Sequence, residues 1–131
     1  MKAPVTFVVA ALWLASCSVT PEGAAGRYVG PEMGNGQDHL ELTEDGHYVQ
    51  RFYLIGEKQP FAVNQGTWAV QAWPSEIRLH RPMSVNDFTP ERIIGEHDLR
   101  LRLGQCGGVR CLQGRGPNKG LDYRLKAEGG A

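Results

Sequence analysis

Leu40 to Leu54, LELTEDGHYVQRFYL, is the stretch whose reading decides the fold. Leu40 and Leu42 face one way with Glu41 opposite, and after Thr43-Glu44-Asp45-Gly46 the period of two resumes at Tyr48, Gln50, Phe52 and Leu54. Strict alternation is the pattern of a half-buried strand. Asp45-Gly46 marks a hairpin turn, because both residues tolerate the positive φ that tight turns need. The stretch therefore predicts two antiparallel strands with one apolar face.

Working outward, the same rhythm recurs. Gly66, Trp68 and Val70 share one face of Val63 to Gln71, and a turn at Trp73-Pro74-Ser75 leads into Ile77 and Leu79, flanked by Glu76, Arg78 and His80. Leu99, Leu101 and Leu103 alternate with Asp98, Arg100 and Arg102, and Leu121, Tyr123 and Leu125 alternate with Asp122, Arg124 and Lys126. With Tyr28-Val29 at the start and Val109 to Gln113 between the last two, these stretches predict seven or eight short strands. The expected fold is all-β, a small antiparallel barrel or a two-layer sandwich. The barrel is preferred because closure removes exposed edges. One segment breaks the rhythm: Thr89-Pro90-Glu91-Arg92-Ile93-Ile94-Gly95 reads as a short helical turn near residues 90–94, with Thr89 as cap, Pro90 at the first position and Gly95 as the stop. It is expected to plug one end of the barrel or to lid a cavity there.

The N-terminus carries an address. Met1 and Lys2 precede an apolar run from Val5 to Leu14, broken only by Thr6. As a helix that run spans about 15 Å, half of a hydrocarbon core of about 30 Å, so it reads as the core of an export signal rather than a membrane span. Leu14-Ala15-Ser16-Cys17 follows and resembles the lipobox of bacterial lipoproteins. That resemblance implies cleavage before Cys17 and a thioether-linked diacylglycerol on its sulfur, commonly with a third acyl chain on the new amine. At about 0.8 kcal/mol per buried methylene, two or three chains anchor permanently. In the enteric sorting pattern an Asp after the lipidated Cys retains the protein in the inner membrane. Ser18 stands there, which points to the outer membrane, facing the periplasm.

The expected organisation is a signal at 1–16, lipidated Cys17 with a flexible tether to 26, one barrel domain at 27–126 and a disordered tail at 127–131. Ser18 to Gly26, SVTPEGAAG, has no apolar period and would reach at most about 30 Å. The chain has 131 residues, so about a hundred remain to fold, one domain with little margin of buried surface. Lys plus Arg and Asp plus Glu each number 14, and loss of the signal removes only Lys2, leaving a formal charge of −1. That balance offers no general electrostatic case for nucleic acid.

Gly26-x-Tyr28, Leu40-x-Leu42-x-x-Asp45-Gly46-x-Tyr48, Gly66-x-Trp68 and Ile77-x-Leu79 together resemble small lipocalin-like lipoprotein domains, of which the N-terminal domain of NlpE-type copper-resistance lipoproteins is the nearest type. The resemblance covers about residues 26 to 80 and implies a barrel more than a function. That family carries a Cys-x-x-Cys motif after its first strand. The corresponding stretch here, Gly30 to His39, has no cysteine, so no metal residue carries over.

Once Cys17 is lipidated, Cys106 and Cys111 remain as an even pair in an oxidising compartment, at the ends of Cys-Gly-Gly-Val-Arg-Cys. A hairpin disulfide worth about 2 kcal/mol is expected. A redox pair is disfavoured by the spacing, and a metal site by the lack of a following His. His39, His47, His80 and His97 fall at turns or outward positions. No Gly-x-Ser-x-Gly elbow, His-Glu-x-x-His helix or phosphate loop occurs, so neither an enzyme nor a cofactor is expected. Gln50 shares the inward parity of the core aromatics and Trp73 sits in a turn. They are the candidate ligand or partner contacts, with backbone hydrogen bonding the competing role for Gln50 and rim capping for Trp73. The expected function is a non-enzymatic envelope lipoprotein that binds a protein partner first, or a small apolar ligand second. The alternatives are a periplasmic enzyme inhibitor that inserts Gly30–Asp38 or Pro82–Glu96 into a cleft, and an envelope-stress sensor.

Overall fold

The computed structural model describes residues 19–33, 35–71, 75–85, 92–95, 97–116 and 121–126. Cys17 with its lipobox, Trp73, Thr89-Pro90 and the 127–131 tail lie outside the described residues. A short helix α1 (Pro21–Ala24) precedes β1 (Gly26–Met33), β2 (Gly36–Leu42), β3 (His47–Leu54), β4 (Ala62–Gln71) and β5 (Glu76–Leu79). There follow β6 (Met83–Val85), β7 (Arg92–Ile94), β8 (Leu99–Cys106), β9 (Val109–Gly114) and β10 (Asp122–Leu125).

Eight strands close into a barrel in the order β1-β10-β9-β8-β5-β4-β3-β2, every pairing antiparallel, with the β6–β7 hairpin inserted between β5 and β8. Register explains the interior. Leu40 lies opposite Gln50 and Leu42 opposite Tyr48, and in the next pair Tyr48 faces Gly66. A Cβ on Gly66 would come within 2.6 Å of the Tyr48 ring, so the glycine gives the ring its place across the neighbouring strand. Tyr28, Leu40, Leu42, Tyr48, Trp68, Ile77, Leu79, Leu101, Leu112 and Tyr123 fill the lumen. At the β2–β3 turn Gly46 has φ +90, the Thr43 hydroxyl bonds the His47 carbonyl at 2.9 Å, and the Trp68 indole donates to the Thr43 carbonyl at 2.9 Å.

The register also gives the barrel two ends. Gly26, Leu42, His47 and the Cys106–Cys111 hairpin lie at the end where α1 enters, here termed proximal. Met33, Gly36, Leu54 and the start of β4 lie at the distal end.

Two elements differ from expectation. Residues 19–25 form a stopper rather than a free tether. Thr20 caps α1 by accepting from the Gly23 N–H at 3.0 Å, Pro21 opens it, Ala24 is buried and Val19 packs on the core. Four residues have no helical stability of their own. Tertiary bonds hold them: the Tyr28 hydroxyl donates to the Ala24 carbonyl at 2.6 Å, and Arg110 donates to the carbonyls of Gly23 at 2.8 Å and Ala25 at 3.0 Å. Among the described residues the α-helical piece is therefore at Pro21–Ala24. Arg92–Ile94, expected within a helical turn near residues 90–94, instead forms a strand paired with Met83–Val85. Val85, Ile93 and Ile94 are β-branched, and ladder pairing overrides the local cap signal.

Candidate functional site

Cys106 and Cys111 form a disulfide closing the β8–β9 hairpin, where Gly107 (φ +61) and Gly108 (φ +82) turn the chain. Cys111 is fully buried and Cys106 half-buried. The disulfide is a structural crosslink at the proximal end.

Gln50 points inward and is 1 % exposed, and its amide is occupied. Its Oε1 accepts from the Met83 N–H at 2.8 Å and from Asn64 Nδ2 at 3.0 Å, and its Nε2 donates to the Met83 carbonyl at 3.3 Å. The Tyr48 hydroxyl donates to the His80 carbonyl at 2.6 Å. Together they latch the start of the inserted hairpin onto β3 and β4, and Met83 packs on Phe52, Ala62 and Phe61. Of the two roles open to Gln50, the structure shows the backbone hydrogen-bonding one. Buried polar groups satisfied in this way specify one arrangement of the segment they hold.

Sequence reasoning touched the distal mouth only as the inserting segment Gly30–Asp38, which is mostly strand in the ends of β1 and β2, and singled out neither Leu54, Ile55 nor Tyr123. Asp38 lies two residues before Leu40, and the same alternation turns it inward. Its Oδ2 accepts a hydrogen bond from the Tyr123 hydroxyl at 2.7 Å, although Tyr123 belongs to β10 and β1 runs between them. Gly30 of β1 makes the reach feasible, since a Cβ there would sit 2.2 Å from Asp38 Oδ1 and 3.0 Å from the Tyr123 ring. Burial pushes the Asp38 carboxyl up to about 6, against the opposing pull of the Tyr123 bond, and pushes the Tyr123 phenol well above its ordinary value. Among the described residues no Lys or Arg forms an ion pair with Asp38. The signal available in the sequence was parity, with Asp38 in phase with Leu40 and Leu42.

Above Asp38 three exposed apolar side chains stand on the rim, next to exposed Asn35 and Glu57. Met33, Leu54 and Ile55 are 54 %, 44 % and 56 % exposed, and Met33 and Leu54 flank Gly36 in the ladder, on the same side of the sheet as Asp38 and Phe52. Burying the exposed part of these three side chains would release about 3 kcal/mol. A carboxylate raised by burial beneath exposed apolar side chains disfavours the isolated fold in two ways at one place, a pattern characteristic of binding sites.

Two outer features are internally satisfied. The Glu76 side chain is 0 % exposed, gripped by Arg100 at 2.8 and 2.9 Å and by Arg78 at 3.1 Å, and these bonds, Arg100 first, pull its carboxyl down to about 2. Nearby, a groove of about 370 Å³ is lined by residues 67–71 with Arg78, His80 and Asp98, where His80 Nδ1 lies 3.2 Å from Asp98. Among the described residues no three His, Cys, Asp or Glu side chains gather as metal ligands, and no helix is long and apolar enough to cross a membrane. No protein-family model, curated protein or solved structure matches this chain, so the distal mouth is identified by its own geometry.

Proposed function

We propose that this chain is a non-enzymatic envelope lipoprotein, anchored through Cys17 in the outer membrane, whose barrel binds a protein partner through its distal mouth. The observation that carries this is the pairing of the exposed apolar side chains on the rim (Met33, Leu54 and Ile55) with the inward carboxylate of Asp38. A partner that covers the rim and lends Asp38 a Lys or Arg side chain would remove both unfavourable features at once.

The polarity of the fold supports the same reading. α1 lies at the proximal end, and Met33 stands seven residues beyond Gly26, about 23 Å along β1. The mouth then stands at the opposite end of the barrel from the anchor. A small apolar ligand is the weaker reading, because the protein's own side chains fill the lumen and β6 closes part of the distal end. A lipocalin-like kinship with NlpE-type domains belongs to the proposal as well, supported by the up-and-down strand order.

The test is a crosslinking pull-down from intact envelopes, comparing the wild type with Met33→Ser/Leu54→Ser/Ile55→Ser. One discrete protein partner, lost from the triple variant while the barrel stays folded, is expected. An identical partner profile for both forms would refute the mouth as the contact.

A further inference from the structure

We infer that the outer wall formed by β10, β1, β2 and β3 rests on the anionic headgroups of the bilayer that holds Cys17, so that the barrel is seated rather than swinging on a tether. The inference rests on the proposed lipidation of Cys17. It adds how the body meets the membrane.

The first observation is chain length. Val19 packs on the core and α1 is fixed by the Tyr28 and Arg110 bonds, so only Ser18 separates Cys17 from the folded body. Two residue steps span at most about 7 Å. A body held that closely cannot avoid the headgroups, and the remaining question is which surface it presents.

Charge answers it. Arg27 and Lys126 are neighbours, the Lys126 N–H donating to the Arg27 carbonyl at 2.8 Å, and Arg124 lies opposite Val29 on the adjoining strand. All three are exposed, and Arg51 extends the patch onto β3. Glu41 lies among them, 3.1 Å from Arg51 and 3.8 Å from Arg27, while Glu32 of β1 and Asp122 of β10 stand toward the distal edge, so the basic patch occupies the proximal half of the wall. His39, between them, is held below its ordinary pKa by burial first and then by Lys126 and Arg51, which is the mark of a positive local field. Basic groups beside a lipid anchor are the standard second attachment to an acidic surface.

Other surfaces fit less well. The proximal tip carries exposed Glu22, Glu44 and Asp45, which disfavours end-on seating. The β5–β8 wall on the other side of the barrel also bears arginines, but Glu76 binds Arg78 and Arg100, leaving Arg102 as the exposed arginine there.

The test uses the mature lipidated protein reconstituted in vesicles, with a fluorophore at Val29→Cys on the basic wall or at Gln65→Cys on β4, and a soluble quencher. Mass spectrometry of the mature chain first reports whether Cys17 carries lipid; an unlipidated Cys17 overturns the anchor reading, and with it this inference. Given lipidation, the Val29 probe is expected to be at least threefold less quenched in phosphatidylglycerol-containing vesicles than in pure phosphatidylcholine. High salt or Arg27→Glu/Arg124→Glu/Lys126→Glu should abolish that protection, whereas Arg102→Glu on the other wall should leave it intact. Equal quenching in both lipids, protection at Gln65 instead, or protection reproduced by inorganic phosphate with neutral vesicles would overturn the wall contact while leaving the anchor standing.

Discussion

Replacing Asp38 by Asn should stabilise the protein at neutral pH. Burial raises the Asp38 carboxyl from 3.8 to about 6, so between those values the folded state holds more protons than the unfolded chain. Stability is then greatest below the unfolded value, falls as pH rises toward about 6, and stays reduced above it. At about 1.36 kcal/mol per pH unit the full shift corresponds to about 3 kcal/mol, and because Asp38 is only partly buried we expect about 1–2 kcal/mol after screening. Asn keeps a carbonyl oxygen to accept from the Tyr123 hydroxyl and carries no charge to bury. The assay is urea unfolding of the oxidised protein, followed by tryptophan fluorescence at pH 4.5 and 7.5. His39, whose pKa is lowered, loses stability in the opposite direction over part of this window, so the variant must be compared with the wild type at each pH. Asp38→Asn should gain about 1–2 kcal/mol at pH 7.5 and nearly nothing at pH 4.5. A variant less stable at pH 7.5, or a difference that does not change with pH, would refute the account of the mouth.

Three further perturbations probe the parts that position this mouth. Gly30→Ala should cost about 2–3 kcal/mol in thermal or urea unfolding, because its Cβ collides with Asp38 Oδ1 at 2.2 Å, and the cost should shrink in an Asp38→Ala background. Gln50→Leu strands the Met83 N–H and should cost about 2–4 kcal/mol, with hydrogen exchange at the Met83 amide accelerating more than at Leu101. Glu76→Gln should cost about 1–2 kcal/mol near neutrality. The wild-type advantage, fully present above the unfolded value of 4.5, should fade as pH falls toward about 2 in acid titrations of stability.

The barrel itself was legible because its evidence is local. Leu40, Leu42, Tyr48 and Phe52 alternate visibly, Asp45-Gly46 announces a turn, and Cys106 and Cys111 stand close enough in the chain to pair across one hairpin. Each feature that escaped depends on a distant residue. Thr20-Pro21 is a cap and a first position, but a four-residue helix leaves no period to read, and Arg110, which holds it, lies 87 residues from Gly23. Arg92–Ile94 followed its partner strand rather than its own capping signals. The Asp38–Tyr123 bond spans 85 residues and requires Gly30 in the strand between them, a juxtaposition that exists only once the sheet closes.

The central claim is that the distal mouth of an anchored barrel is where a protein partner binds, and a photo-crosslinking amino acid placed at Leu54 in the intact envelope tests it most directly, with Gln65 on the outer face of β4 as the control. The account predicts one discrete crosslinked protein from Leu54, none from Gln65, and loss of the Leu54 product when Asp38→Asn is combined with it. Crosslinking of equal yield from both positions, or a Leu54 product indifferent to Asp38, would contradict it.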